Sequence, residues 1–183
     1  MCHLICRYHQ CVFISVHSWK QVVGPVWIAV IYVNQVAYAV SLVAEGSKMD
    51  ETSECFSLSK LNVRHLVAII LFALATNVQY KTFAYLASLR RNKAGHVVTT
   101  NYKPPNAGMF QQLNLSSPHY FAEIVIYFAV LVAMGTNCLT WMTVTYCVAC
   151  HMTYLAYVTH QYYLDTFSNV YPKHRNIIIP FLF

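Results

Sequence analysis

Carboxylates are scarce in this 183-residue chain. Six Asp and Glu stand against twelve Lys and Arg, and four of the six fall within 45–64, leaving only Glu123 and Asp165 elsewhere. Charge of either sign is low, at 10% of residues, while 57% are hydrophobic and the mean hydropathy is +0.43. That composition argues against a soluble globular domain. Glycine is scarce as well. The five present build no G-x-G-x-x-G turn, P-loop or nucleophile elbow, so a nucleotide site in this chain does not rest on a Rossmann turn. The seven cysteines form no secreted disulfide framework, and those inside apolar runs act as small apolar residues. Internal repeats and low-complexity segments are missing too.

What the chain has in quantity is apolar and aromatic. Its 14 Tyr, 10 Phe and 3 Trp are the load expected at membrane–water interfaces. Residues 22–44 carry no charge over 23 positions, enough for a hydrocarbon core of ~30 Å. Further spans are expected at 65–86, where Lys81 snorkels to the interface, at 118–134, and at 138–159. Gly135-Thr-Asn makes a tight turn between the last two, so they pair as an antiparallel hairpin. The expected fold is therefore all-α and integral to a membrane. It has about four transmembrane helices and a C-terminal tail that docks at the cytosolic face.

The net charge of +6 sits between the spans rather than on one soluble face, which speaks for positive-inside topology and against nucleic acid. Both termini, the 87–117 loop and the tail are then cytosolic. The Asn114-Leu-Ser sequon faces the wrong side for glycosylation under that topology. Met-Cys-His-Leu opens at once onto a half-apolar stretch, as the interior of a longer membrane protein would. The expectation is an N-terminally truncated form.

Three polar clusters could carry chemistry. In "SSPHYFAEIVIYFAV", Ser117 is a good N-cap and Pro118 a good first helical residue. His119, Glu123 and Tyr127 then follow at i, i+4 and i+8 and share one face. Ionisable groups inside a membrane are costly and usually mark a functional path. A structural pair near the headgroups is the alternative. The second cluster is the loop at 89–110, where Arg90, Arg91, Lys93 and Lys103 meet no acid. It suits a phosphate-bearing ligand, or else a topology signal or lipid-headgroup patch. The third is the tail, whose apolar "IIIPFLF" ending must return to the bundle, bringing His160, Tyr163, Lys173, His174 and Arg175 toward the same mouth. Two metal-like patterns are decoys. "CVACH" at 147–151 matches a haem-attachment motif but lies in mid-span. Cys2, His3, Cys6, His9 and Cys11 fit no closed zinc spacing. No metal is expected.

"QYKTFAYLASLRRNKAG", "SSPHYFAEIVIY", "HQYY" and "YPKHRNIIIPFLF" resemble the C-terminal half of the steroid 5-alpha-reductase family, in its polyprenal reductase branch. The match runs from Gln79 to Phe183, with a weaker one at 6–18. It divides the chain into an N-terminal membrane segment, 1–78, and a cofactor-binding domain, 79–183. The resemblance implies an endoplasmic reticulum membrane oxidoreductase that uses NADPH to reduce the α,β double bond of polyprenal, a polyisoprenoid lipid, to dolichal. Dolichal lies on the route to dolichol, the lipid carrier of N-glycosylation. Membrane lipids are its other expected partners. It also implies cofactor contacts at Arg90, Tyr102, His119, Glu123, His160 and Tyr163, with Glu123 and His119 at the nicotinamide end. The phosphates fall to Arg90, Arg91, Lys93, Lys103 or Arg175.

Departures qualify that pattern. His119 stands where steroid-directed members carry Asn, which favours the polyprenal branch. Lys103 replaces an Arg, and Thr159 a His of the steroid reductases. Segments 111–115 and 165–170 are longer than the family pattern. The family's carbonyl-polarising Glu–Tyr pair has no counterpart, so no catalytic residue is assigned. Steroid and enoyl-CoA reduction, and a non-catalytic membrane fragment, are the rival expectations.

Overall fold

A computed structural model of the chain describes residues 2–16, 62–99, 101–135 and 139–180, with isolated helical positions between 25 and 43. The span expected at 22–44 therefore lies almost wholly outside the described residues, as does all of 45–61. Among the described residues there is no strand. The elements are helix α1 (Cys2–His9) running into a π-helical turn (Gln10–Ile14), then α2 (Val63–Ser88), the short α3 (Met109–Gln112), α4 (Pro118–Met134) and α5 (Leu139–Thr166).

Local chemistry explains where the long helices begin. Asn62 caps α2: its side chain accepts from Val63 N at 2.7 Å, while its own N–H donates to His65 Nδ1 at 3.1 Å. This reciprocal cap starts the helix two residues before the expected 65 and ties up two donors that the first turn leaves without a partner. α4 starts at Pro118 as expected, with Ser117 at the N-cap position, yet the Ser117 side chain makes no capping bond. Proline at the first position suffices, because its fixed φ suits the helix and its missing N–H needs no partner. Gly135 ends α4 at φ 90°.

The four expected spans are not all matched. α2 is long and apolar enough to cross a membrane. α4 is apolar but has only 17 residues. α5, at 28 residues, has the length but not the apolar content. It is rich in threonine, and Thr143, Thr145 and Thr153 return their hydroxyls to carbonyls four residues back at 2.7 to 3.0 Å. Those bonds lower the cost of placing hydroxyls on an apolar helix. Val63, Leu66, Ile69, Ile70 and Leu74 make an exposed apolar strip along α2, the surface a lipid-facing helix presents.

α2 and α4 form the central pair around Ala75, Ala122 and Ile126, with Phe72, Val78 and Val125 packed on them. They run antiparallel: Gln79 meets Glu123, and four residues further along α2, Phe83 meets His119, four residues back on α4. α5 packs on α4. α1 lies against both central helices, with the His3 ring 6.4 Å from Phe72 of α2 and 5.9 Å from Tyr127 of α4. Beyond α5 the tail turns back and docks. Asn176 N donates to Asn114 O at 3.0 Å, and Ser116 N donates to Asn176 O at 2.9 Å. Tyr171, Arg175 and Ile178 are buried in this return.

Candidate functional site

The site is built outward from Glu123. Its place in the second turn of α4 puts a carboxylate, 9% exposed, against α2. A buried charge persists only if paired and hydrogen-bonded, and three groups meet that need. Gln79 Nε2 of α2 donates to Oε2. His3 Nε2 of α1 lies 3.0 Å from Oε1. Arg7 Nε, one turn further along α1, lies 3.9 Å from Oε2. The Arg7 guanidinium also covers the Phe83 ring at 4.9 Å. His119 stacks against that same ring at 5.3 Å and against Tyr120 at 4.1 Å.

The second half of the site joins arginines to tyrosines. Arg90, 8% exposed at the end of α2, donates to the Val16 carbonyl and lies over the Tyr102 ring at 4.3 Å. Tyr102 meets Tyr162 edge-on at 5.7 Å, and Tyr163 packs on Tyr171 at 5.2 Å. Arg175 donates to Pro105 O at 2.5 Å and covers Tyr171 at 5.0 Å. Beneath it runs a buried chain: Tyr171 donates to Ser116 Oγ at 2.7 Å, and Ser116 Oγ lies 2.6 Å from His160 Nδ1. The N-terminal segment bridges the halves: α1 brings His3 and Arg7 to Glu123, and the residues after it accept from Arg90 at Val16 O and from Arg91 at Ile14 O.

The structure thus brings Arg90, Tyr102, His119, Glu123, His160, Tyr163 and Arg175 into two linked groups. Arg91 joins from the side, donating to Ile14 O at 3.1 Å and Phe13 O at 3.4 Å. Lys93 and Lys103 are exposed. The sequence reading missed His3, Arg7, Gln79, Ser116 and Tyr171. One signal was available for the first two: Glu123 is the only acid between 55 and 164, and an arginine four residues after a histidine in an apolar stretch needs one.

Chemically, the arrangement offers hydrogen-bond acceptors at one end and guanidinium donors framed by aromatic rings at the other. Gln79 Oε1, His119 Nδ1, Arg91 Nε and Arg175 Nε are all buried without a partner. Such atoms call for a ligand or bound solvent. Among the described residues, no group of three or more His, Cys, Asp or Glu could hold a metal.

Comparison with known proteins finds relatives of this chain. The chain is 31% identical over 180 residues to a polyprenal reductase of Danio rerio, covering 98% of this chain and 57% of the relative. It is 33% identical over 179 residues to a polyprenal reductase of Drosophila melanogaster, covering 96% and 54%. A Homo sapiens polyprenal reductase is 38% identical over 119 residues, covering 65% and 36%. The chain therefore spans about half the length of the longest-matched of these relatives. Residues 27–183 match the family described as 3-oxo-5-alpha-steroid 4-dehydrogenase, and the chain belongs to that family.

Proposed function

We propose that residues 79–183 form the NADPH-binding part of a membrane oxidoreductase that reduces the α,β double bond of polyprenal to dolichal. The observation that carries this reading is the linked pair of groups around Glu123 and Arg90, in a chain related to proteins named polyprenal reductase. The residues fit the cofactor. The orphaned Gln79 Oε1 and His119 Nδ1, beside Glu123, match the donors and acceptor of a primary carboxamide. Arg90 and Arg175 supply planar forks suited to phosphate.

NADPH held there would supply a hydride for the β-carbon of the conjugated enal and leave as NADP⁺, with a proton from solvent completing the α-carbon. Glu123 accepts from the carboxamide and, with His119, holds the nicotinamide end in register. Arg90, with Arg91, Lys93, Lys103 and Arg175, neutralises the phosphates, while Tyr102, under the Arg90 guanidinium, and Tyr163, packed on Tyr171, frame that end. His160 of α5 and Tyr171 of the tail meet there at Ser116. The polyisoprenoid lies along the lipid-facing helices. The protein then resides in the endoplasmic reticulum membrane, with both termini and the 87–117 loop cytosolic, and serves dolichol synthesis for N-glycosylation.

Purified protein in detergent should oxidise NADPH in the presence of polyprenal and yield dolichal, and Glu123→Gln should lose most of that turnover. Full activity in the variant would remove the role given to Glu123, and failure of the unsubstituted chain to bind NADPH would remove the cofactor reading. The family description favours a second substrate class, 3-oxo-steroids. Turnover of a 3-oxo-Δ4-steroid but not of polyprenal, in the same assay, would select it.

A further inference from the structure

His3 and Arg7 lie four residues apart on α1, and so on one face. Both reach the same carboxylate, on different oxygens: His3 Nε2 is 3.0 Å from Glu123 Oε1, and Arg7 Nε is 3.9 Å from Oε2. Neutralising one negative charge needs only one cation. Two groups on two oxygens also fix the rotation of the carboxylate about its last bond.

We propose that His3 and Arg7 are positioning residues, which aim one remaining acceptor site of Glu123 at the carboxamide of a bound nicotinamide. The inference rests on the cofactor reading above. An ionised carboxylate offers about four lone-pair sites. His3 and Gln79 each use one, and Arg7 flanks a third at longer range. An acceptor site is left for a ligand donor, in a direction the clamp determines.

The clamp is itself held. The His3 ring meets Phe72 and Tyr127 edge-on, at an interplanar angle of 79° to each. Arg7 Nη1 donates to Gln10 Oε1 at 3.2 Å, and Gln10 is buried in the π-helical turn. Its guanidinium covers Phe83, the ring that also carries His119. Arg7, Phe83 and His119 thus form one stack beside the carboxylate. A shift of α1 would therefore move the two residues proposed for the nicotinamide end together.

The test compares two ligands on one preparation: NADPH and the reduced 3-acetylpyridine analogue, whose acetyl group has no N–H to donate. Dissociation constants come from fluorescence titration of the full chain in detergent, so the readout needs no turnover. The unsubstituted protein should prefer NADPH by about tenfold or more, the worth of a hydrogen bond to a charged group. In His3→Phe and in Arg7→Met the ratio should fall toward one, and His3→Gln, which keeps a donor, should retain it. Because the ratio is taken on one sample, it does not depend on the fraction folded. Should Arg7→Met fail to fold, the His3→Phe and His3→Gln pair decides alone. An unchanged ratio in His3→Phe overturns the clamp. Absence of NADPH binding by the unsubstituted chain overturns the cofactor reading beneath it, a separate and recognisable failure.

Discussion

The backbone N–H of Asn176 donates to the carbonyl of Asn114 at 3.0 Å, joining the C-terminal tail to the loop that leads into α4. Beside that bond sits Tyr171, whose hydroxyl donates to Ser116. Tail and helix entry are thereby one unit, so a defect in either is expected to reach the other.

Tyr171→Phe isolates that coupling. Loss of a buried hydrogen bond should lower stability by about 1–2 kcal/mol, read as a lower unfolding temperature and faster proteolysis beyond Thr166. Burial raises the Tyr171 pKa above its ordinary value, although the Ser116 bond and Arg175 pull it back in part. A raised folded pKa means the contribution is complete below about pH 10, the unfolded value, and fades as pH climbs through the folded one. The stability gap between wild type and variant should stay constant from pH 7 to 9 and narrow above pH 10.

Gln79 and Glu123 should behave as an energetic pair. Gln79→Leu removes the donor on Oε2 and leaves a buried carboxylate with fewer partners. A double-mutant cycle with Glu123→Gln, followed by chemical unfolding in detergent, should show coupling of roughly 0.5–3 kcal/mol. Additive effects would mean that the two side chains act independently.

At Arg90, charge and shape can be separated. Arg90→Met should weaken NADPH binding by about tenfold or more through loss of a charge-assisted contact. Arg90→Lys keeps the charge but lacks the planar fork over Tyr102, and should recover only part of the loss. Titration of both variants at two salt concentrations reads the difference.

Gly135 is a backbone prediction. Its φ of 90° and ψ of 160° lie where only glycine rests easily, and Gly135→Ala should cost about 1–3 kcal/mol. A Cβ there would also meet Arg64 Nη1 at 2.8 Å. That atom ends a flexible side chain and can move away. Adding Arg64→Ala should therefore restore little, which thermal unfolding of the single and double variants will show.

Local signals were the legible ones. Ser117-Pro118 marked the start of α4 because proline chemistry acts within one residue. Gly135 marked its end for a similar reason. The period of four placed His119, Glu123 and Tyr127 on one face, but could not say which helix would cover it. Gln79 and Phe83 became the answer only through the antiparallel register of α2, a property of packing. The apolar tail ending signalled a return to the bundle, whereas its anchor, Ser116, looks in sequence like any serine before a helix. α5 is less legible, since threonines that bond to their own helix lower the apolar content while keeping their hydroxyls paired.

The small hairpin after α2 has a practical use. Arg91 bridges to Val97, and the turn between them is closed by Asn92, whose side chain accepts from His96 N and whose carbonyl accepts from Gly95 N. Gly95 is at φ +82° with nothing within 4 Å of the place a side chain would take. A short epitope or a protease site inserted between Ala94 and Gly95 would open that turn but touch no side-chain contact of Arg90. Antibody access or cleavage in sealed microsomes would then report which side of the bilayer this loop occupies.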